Sequence, residues 1–275
     1  MKLFISVDME GISGVTDWDD VNRGTIDYQY YRQLMTKDVN AAIEGALEAG
    51  VSEVVVNDSH DTMRNLIIDE LHPKAELVRG FLKPLLMMEG IDSTYSAAFF
   101  IGYHCMAGVG DAVLNHTMSN RAVQRIKLNG REIGEAGINA VIAGAYGVPV
   151  VLVTGDTQTT EEVSREIEGV HTVAVKKGLG MFTARCLHPE ESRRRIKEMA
   201  RVAVLDRQRV CPVPVLESYD LQIEFKTTSS AQVVSYMPQV ELINGKTVRF
   251  QTSDVHQLMP TLLAMLLLGD VKEFS

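Results

Sequence analysis

The sequence predicts an α/β fold: a mostly parallel sheet covered by helices on both faces, with a small C-terminal α+β appendage. Two observations carry this. Short, near-continuous apolar runs recur over the first two-thirds of the chain and alternate with segments of helical spacing, the pattern of strands buried on both faces and joined by helical crossovers. After residue 189 the character changes to a long charged helix followed by alternating, turn-punctuated segments. The 275 residues, 45% apolar and 23% charged, suffice for one large core or for a core plus a smaller unit.

The elements follow in order. Residues 3–7 are an apolar strand ending at Asp8. Residues 30–49 place Leu34, Val39, Ala42, Ala46 and Ala49 at helical spacing, and Gly50 stops that helix. Val54, Val55 and Val56 form a β-branched second strand, Leu77 and Val78 a weaker third, residues 84–89 a short helix and 97–101 a fourth strand. Asn129-Gly130, between 125–128 and 132–133, is a hairpin signal, and a helix spans about 135–146. Residues 149–154 and 172–175 are further strands around a helix at 159–168. A charged helix runs from 189 to about 207, and Cys211-Pro212-Val213-Pro214 reads as a linker. Beyond it, 221–225 alternate, Asn244-Gly245 marks a second hairpin before 248–251, and Ser253-Asp254 stand where the last helix needs a cap. The division expected is a catalytic α/β domain over 1–210, carrying a metal site, and a smaller α+β segment over 211–275 serving oligomer contacts.

Composition excludes several classes. A net charge of -9 argues against a nucleic-acid groove, and the one basic run, Arg193-Arg194-Arg195 with Lys197, alternates with Glu190, Glu191 and Glu198 as a solvated helix face does. Three cysteines without a CxxC fit a reducing compartment and no disulfide framework, with Cys105 a small buried hydrophobe rather than a redox-sensitive neighbour of His104. The first residues turn acidic too early for a signal peptide. The apolar stretch 258–268 is about half a bilayer span, carries Pro260, and reads as a buried helix or an oligomer contact. A cytoplasmic protein with no membrane and no nucleic-acid partner is expected.

Five residues carry the chemistry: Asp8, Glu10, His60, His104 and Glu135. Asp8 and Glu10, two apart at the end of the first strand, point the same way in extended backbone. His60 follows the second strand and His104 the fourth, so three strand ends deliver acids and imidazoles to one edge of the sheet, where open parallel sheets bind ligands. Glu135, between Gly134 and Ala136 at a helix start, is either a further ligand or a helix-terminal carboxylate. Three carboxylates in one crevice repel unless cations neutralise them. One zinc with five ligands leaves no place for substrate, whereas two ions sharing a carboxylate do, with Asp8 the expected bridge. Hydroxide formed on the metals at neutral pH would attack an amide, ester or phosphate, with Glu10 or Glu135 serving either as ligand or as base. His116 is a sixth candidate, either a proton donor or oxyanion stabiliser, or a loop histidine bonded to backbone. His72, His171, His188 and His256 lack carboxylate company and are read as ordinary.

These motifs resemble a known family. Residues 6–14 (SVDMEGISG), 56–60 (VNDSH), 102–104 (GYH) and 134–140 (GEAGINA), in order, are similar to the zinc D-aminopeptidases of the DppA type. The likeness implies two zinc ions per chain held by Asp8, Glu10, His60, His104 and Glu135. It aligns His116 with a family histidine assigned as a nucleophile, although a proton-transfer or oxyanion role suits it better. It further implies release of the N-terminal, D-configured residue from short peptides such as D-Ala-D-Ala, and a ring-shaped homo-oligomer, with a decamer as the candidate ring. The chain departs from the pattern over 104–111 and 119–124, loops expected to line the substrate pocket. The alternatives weighed are a dimetal phosphoesterase, disfavoured because no basic residue neighbours the motifs in sequence, and a non-catalytic metal- or peptide-binding protein.

Overall fold

The computed structural model describes residues 1–271. Its strands are β1 (Lys2–Val7), β2 (Glu53–Asp58), β3 (Ala75–Val78), β4 (Ala97–Ile101), β5 (Val123–Leu128), β6 (Arg131–Glu132), β7 (Val150–Asp156), β8 (His171–Gly180), β9 (Thr183–Cys186), β10 (Tyr219–Phe225), β11 (Val240–Leu242) and β12 (Thr247–Thr252). Its helices are α1 (Trp18–Val21), α2 (Tyr28–Glu48), α3 (Glu135–Ala145), α4 (Thr157–Glu166), α5 (Pro189–Leu205), α6 (Thr228–Val234) and α7 (Leu258–Gly269).

Seven strands form one sheet in the order β3-β2-β1-β4-β7-β8-β9, parallel throughout except for the edge strand β9. Strands β1, β4 and β7 are buried almost end to end, as their unbroken apolar runs require. From β1 the chain winds outward through β2 to β3, and from β4 it winds the other way through β7 to β8. Right-handed crossovers then place α2 and α4 on opposite faces. Helix α2 packs on α5, closely enough that a Cβ on Gly45 would lie 2.1 Å from the Lys197 carbonyl oxygen.

The winding reverses between β1 and β4, and there the two strand-end loops cross in backbone contact. The Gly11 amide donates to the Gly102 carbonyl at 2.8 Å, and a Cβ on Gly11 would sit 1.9 Å from the Tyr103 carbonyl oxygen. This crossing brings the segment after β1 beside the segment after β4, at the crevice where open α/β sheets bind ligands.

The second sheet is antiparallel, in the order β11-β12-β10-β5-β6. Hairpin β5–β6 turns on Asn129 and Gly130, both at positive φ, as that pair predicts. Strands from either side of residue 210 thus share one sheet, because β5 and β6 arise between β4 and α3 and pair with β10 through β5. Helix α7 starts two residues before Pro260, a position in the first turn where the ring is tolerated, and its Leu258, Met259, Leu262 and Met265 are buried. Asp254 caps the short 3-10 turn leading into it.

Several elements differ from expectation. Residues 84–89 hold only a 3-10 turn at Leu86–Met88. Strand β8 runs to Gly180 because β9 pairs with its far half. Helices α1 and α6 and strand β11 are too short for periodicity to reveal. Arg194, Arg195 and Lys197 do form exposed ion pairs, with Glu191, Glu198, Glu44 and Glu48. Arg193 instead turns inward toward the buried Asp38, whose carboxyl burial pushes up to about 7 against the pull of Arg193 and Lys176. Among the described residues no helix is long and apolar enough to cross a membrane.

Candidate metal centre

The structure brings Asp8, Glu10, His60, His104, Glu135 and His116 together in one cleft of about 380 Å³. Each arrives on its own segment: Asp8 and Glu10 just past β1, His60 past β2, His104 past β4, Glu135 at the first turn of α3, and His116 in the loop before β5. His60 Nδ1 lies 3.2 Å from Asp8 Oδ1 and 3.0 Å from Glu10 Oε2. His104 Nε2 lies 3.4 Å from Asp8 Oδ2 and 3.2 Å from Glu135 Oε1. His116 Nε2 lies 3.9 Å from both Glu10 Oε1 and Glu135 Oε1. Its ring stacks on His104 with centroids 4.0 Å apart and meets the edge of Trp18.

The three imidazoles share one design. The second nitrogen of each ring faces a backbone carbonyl: His60 Nε2 with Val21 at 3.1 Å, His104 Nδ1 with Cys105 at 3.0 Å, and His116 Nδ1 with Leu114 at 2.8 Å. A carbonyl only accepts, so each of these nitrogens carries the proton. In the neutral ring the other nitrogen then offers a lone pair to the carboxylates, the arrangement typical of metal-binding histidines. Lone pairs facing carboxylate oxygens at such distances need a positive bridge between them. Asp8 Oδ2 and Glu10 Oε2 are buried without a hydrogen-bond partner.

Zinc fits this donor set. Ligand atoms on a tetrahedral zinc, with bonds of about 2.0–2.1 Å, stand about 3.3 Å apart. The four histidine–carboxylate separations for His60 and His104 fall at 3.0–3.4 Å. Two groups of three donors, Asp8-Glu10-His60 and Asp8-His104-Glu135, share Asp8, and a third joins Glu10, His104 and His116.

Without a cation the charges strain one another. Burial pushes the Asp8 carboxyl up to about 7, with Glu10 and Glu135 adding to it and His60 and His104 opposing. Burial also works against ionisation of Glu10 and Glu135, but the neighbouring imidazoles, His60 foremost for Glu10 and His104 for Glu135, hold both below the usual carboxylate range. Burial works against charge on His60 and His104 too, yet the carboxylates facing them raise both well above an ordinary imidazole. His116 goes the other way: burial and the adjacent His104 lower it, leaving a neutral ring.

Behind the cleft lies a layer that sequence spacing does not reveal. Buried Lys176 on β8 donates to the backbone carbonyls of Glu10, Ile12 and Val15, holding the loop that carries Glu10. Asp58 accepts from the amides of Asn65 and Leu66 and from the Asn65 side chain, closing the loop around His60. Lys83 binds the Asn57 side chain and the Asp58 carbonyl. Basic residues therefore do neighbour the motifs in space, contrary to their absence in sequence. Their ammonium groups are spent on this scaffold, and no Lys or Arg lines the main cleft among the described residues. The hydroxyls of Ser6, Ser59 and Tyr103 link beneath the site, and the Asn139 amide donates to Tyr103 one turn after Glu135. Helix α1 supplies Trp18 and the Val21 carbonyl, and the Asp17–Asp20 capping pair is the one local signal that marks it.

Glu162 on α4 braces the segment after His104. Its Oε2 accepts from Cys105 Sγ at 2.7 Å and from the Met106 amide at 3.0 Å, while Oε1 lies against Gly134, where a Cβ would be 2.4 Å away. Cys105 is thus a fully buried thiol, its pKa raised by burial and by Glu162. One turn on, burial and Glu162 push Glu166 up to about 7. With its folded pKa above the unfolded value, Glu166 binds a proton more tightly in the native state, so its contribution to stability is expected to fall as pH rises from about 4.5 through 7. Glu166→Gln should flatten that slope and stabilise the protein at pH 8 by about 1 kcal/mol, discounted for partial exposure. Urea unfolding at pH 5 and pH 8 checks it, and equal changes at the two pH values would count against it.

His72, His171, His188 and His256 all lie outside the cleft. His188 caps α5 and His72 accepts from the Lys74 amide, both structural roles.

A family model described as D-aminopeptidase matches residues 1–264. The D-aminopeptidase of Bacillus subtilis (strain 168) is 39% identical over 266 residues, 96% of either chain. Among solved structures, the Zn-dependent D-aminopeptidase DppA from Bacillus subtilis, described as a self-compartmentalizing protease, matches with a TM-score of 0.96, at 38% identity and over the full length of both chains.

Proposed function

Because the chain belongs to the D-aminopeptidase family of hydrolases, we propose that it is a dinuclear zinc aminopeptidase that releases the N-terminal, D-configured residue of short peptides such as D-Ala-D-Ala. The observation that carries this is the shared histidine design: one ring nitrogen tied to a backbone carbonyl, the other turned on a carboxylate, with Asp8 common to two donor groups. Asp8, Glu10 and His60 would hold one ion and Asp8, His104 and Glu135 the other. Zinc bound there supplies a water acidified to neutral pH and a Lewis acid for the scissile carbonyl.

The chain's own residues do the rest. Asp61, a carboxylate of the same cleft outside the donor groups, offers negative charge where the peptide's terminal ammonium would rest. His116 holds its proton on Nδ1 against Leu114, so Nε2 is free to take a proton in the cleft and return it to the departing amine. Its lowered pKa keeps Nε2 free at neutral pH. Trp18 fixes the ring edge-on. The apolar wall from Leu263 and Leu266 on α7 excludes water from one side.

Zinc dependence and assembly are also proposed from the similarity to DppA. The chain would form a ring-shaped homo-oligomer, and a decamer of 30.4 kDa subunits would have a mass of about 300 kDa. Residues 211–275, a smaller segment exposing Leu242 and Ile243, would take part in its contacts. A cytoplasmic location accords with the free cysteines.

The test is elemental analysis with a hydrolysis panel of D-Ala-D-Ala, L-Ala-L-Ala and phosphate esters. About two zinc per chain and preferential cleavage of the D-dipeptide are expected. Turnover of phosphate esters alone, or bound zinc with no peptide cleaved, would replace this reading with one of its alternatives.

A further inference from the structure

A second cavity of about 300 Å³ adjoins the first, and Trp18, His116 and Asn120 line both. The Trp18–His116 pair, ring edge on ring, therefore stands as a septum between two compartments. The charged side chains of their linings are opposite in sign. The main cleft is lined by Asp8, Glu10, Asp61, Glu135 and Asp270, the last paired with Arg121, and by no lysine or arginine among the described residues. The second cavity has no acidic residue, and Lys226 is its one lysine or arginine among the described residues. Lys226 Nζ donates to the Asn120 carbonyl, in the wall common to both cavities, and no described carboxylate pairs with it. Gln124 adds an amide to the same lining.

A short peptide is itself two-signed, with an ammonium at one end and a carboxylate at the other. The terminal ammonium belongs in the main cleft beside Asp61, a carboxylate outside the donor groups. The departing nitrogen must lie within reach of His116, so the residue it carries extends past the septum. We propose that the second cavity is the subsite for the leaving residue and that Lys226 binds its free carboxylate. The preferred substrates are then very short peptides with an unblocked C-terminus, for which one charge-assisted contact to Lys226 supplements the metal cleft. Lys226 acts here as a specificity residue. This rests on the aminopeptidase reading and adds to it the location and chemistry of the leaving-residue site.

The experiment measures equilibrium binding, so it does not depend on turnover. A D-Ala-D-Ala isostere with a reduced CH2–NH link, as the free acid and as the carboxamide, is titrated into zinc-loaded wild type and Lys226→Met. Lys226 is exposed, so the variant should fold. The acid is expected to bind wild type roughly five- to tenfold tighter than the amide. Lys226→Met should remove that difference by weakening the acid alone. Equal affinity of wild type for the two ligands would overturn the proposal, as would a variant that weakens both alike. Parallel turnover of D-Ala-D-Ala reports on the aminopeptidase reading separately: inactive protein that still distinguishes acid from amide keeps the subsite and loses the reaction.

Discussion

Asp8→Asn is expected to cut D-Ala-D-Ala hydrolysis by on the order of a thousandfold or more and to leave well under two zinc per chain. Asp8 belongs to two of the three donor groups, one oxygen facing His60 and the other His104. Asparagine has the same shape but only one oxygen and no charge, so it cannot serve both groups. The carboxamide oxygen can still accept from the Met9 amide, as Asp8 Oδ1 does at 2.9 Å, and the fold should survive. His60→Ala removes a member of only one group, so about one zinc should remain. Elemental analysis with circular dichroism reads both variants. A folded Asp8→Asn protein with full zinc and normal turnover would show that the metals lie elsewhere.

Gly11→Ala should destabilise the protein by about 4 kcal/mol or more, or leave it folded with Glu10 displaced and zinc binding impaired. The new methyl would meet the Tyr103 carbonyl oxygen at 1.9 Å and the Gly102 carbonyl carbon at 2.5 Å. Both are backbone atoms, so no side chain can swing aside. The loops that meet there carry Glu10 on one side and His104 on the other, and any relief separates them. Gly110→Ala, at a site open on all sides and not at positive φ, is the control and should be nearly neutral. Urea unfolding and zinc titration measure the pair. A Gly11→Ala protein matching the control on both counts would mean that the crossing does not constrain the site.

Much of the fold was legible because its strands are buried on both faces. Unbroken runs such as Val150–Asp156 and Ala97–Ile101 leave no other reading once helices alternate with them. The hairpin at Asn129 and Gly130 was legible because few residues tolerate that backbone. Helix α1, strand β11 and the edge strand β9 were not, since elements of three or four residues carry no period. The sharing of the second sheet between β5 and β10 was hidden for another reason: antiparallel pairing across some 90 residues leaves no local mark.

The candidate ligands were legible from chemistry and position together. Acids and imidazoles at the ends of β1, β2 and β4 had to share an edge if those strands were parallel neighbours, and the four motifs in order identified the family. The supports behind them were illegible. Nothing near Lys176 in sequence points to the Glu10 loop, and nothing near Glu162 points to Cys105. Such residues act on backbone atoms far along the chain, so their own neighbours in sequence carry no sign of the role.

The sequence by itself determined the strand-and-helix alternation, the identity of the acids and imidazoles, and the family. Only the tertiary structure decided which ring nitrogen each histidine turns to the carboxylates, which lysines serve as scaffold, and that His116 and Trp18 divide two cavities lined by side chains of opposite charge. The reason is the range of the forces involved. Periodicity and spacing record interactions along the chain, whereas a proton on an imidazole is placed by whichever carbonyl the packing of distant segments brings within 3 Å or so.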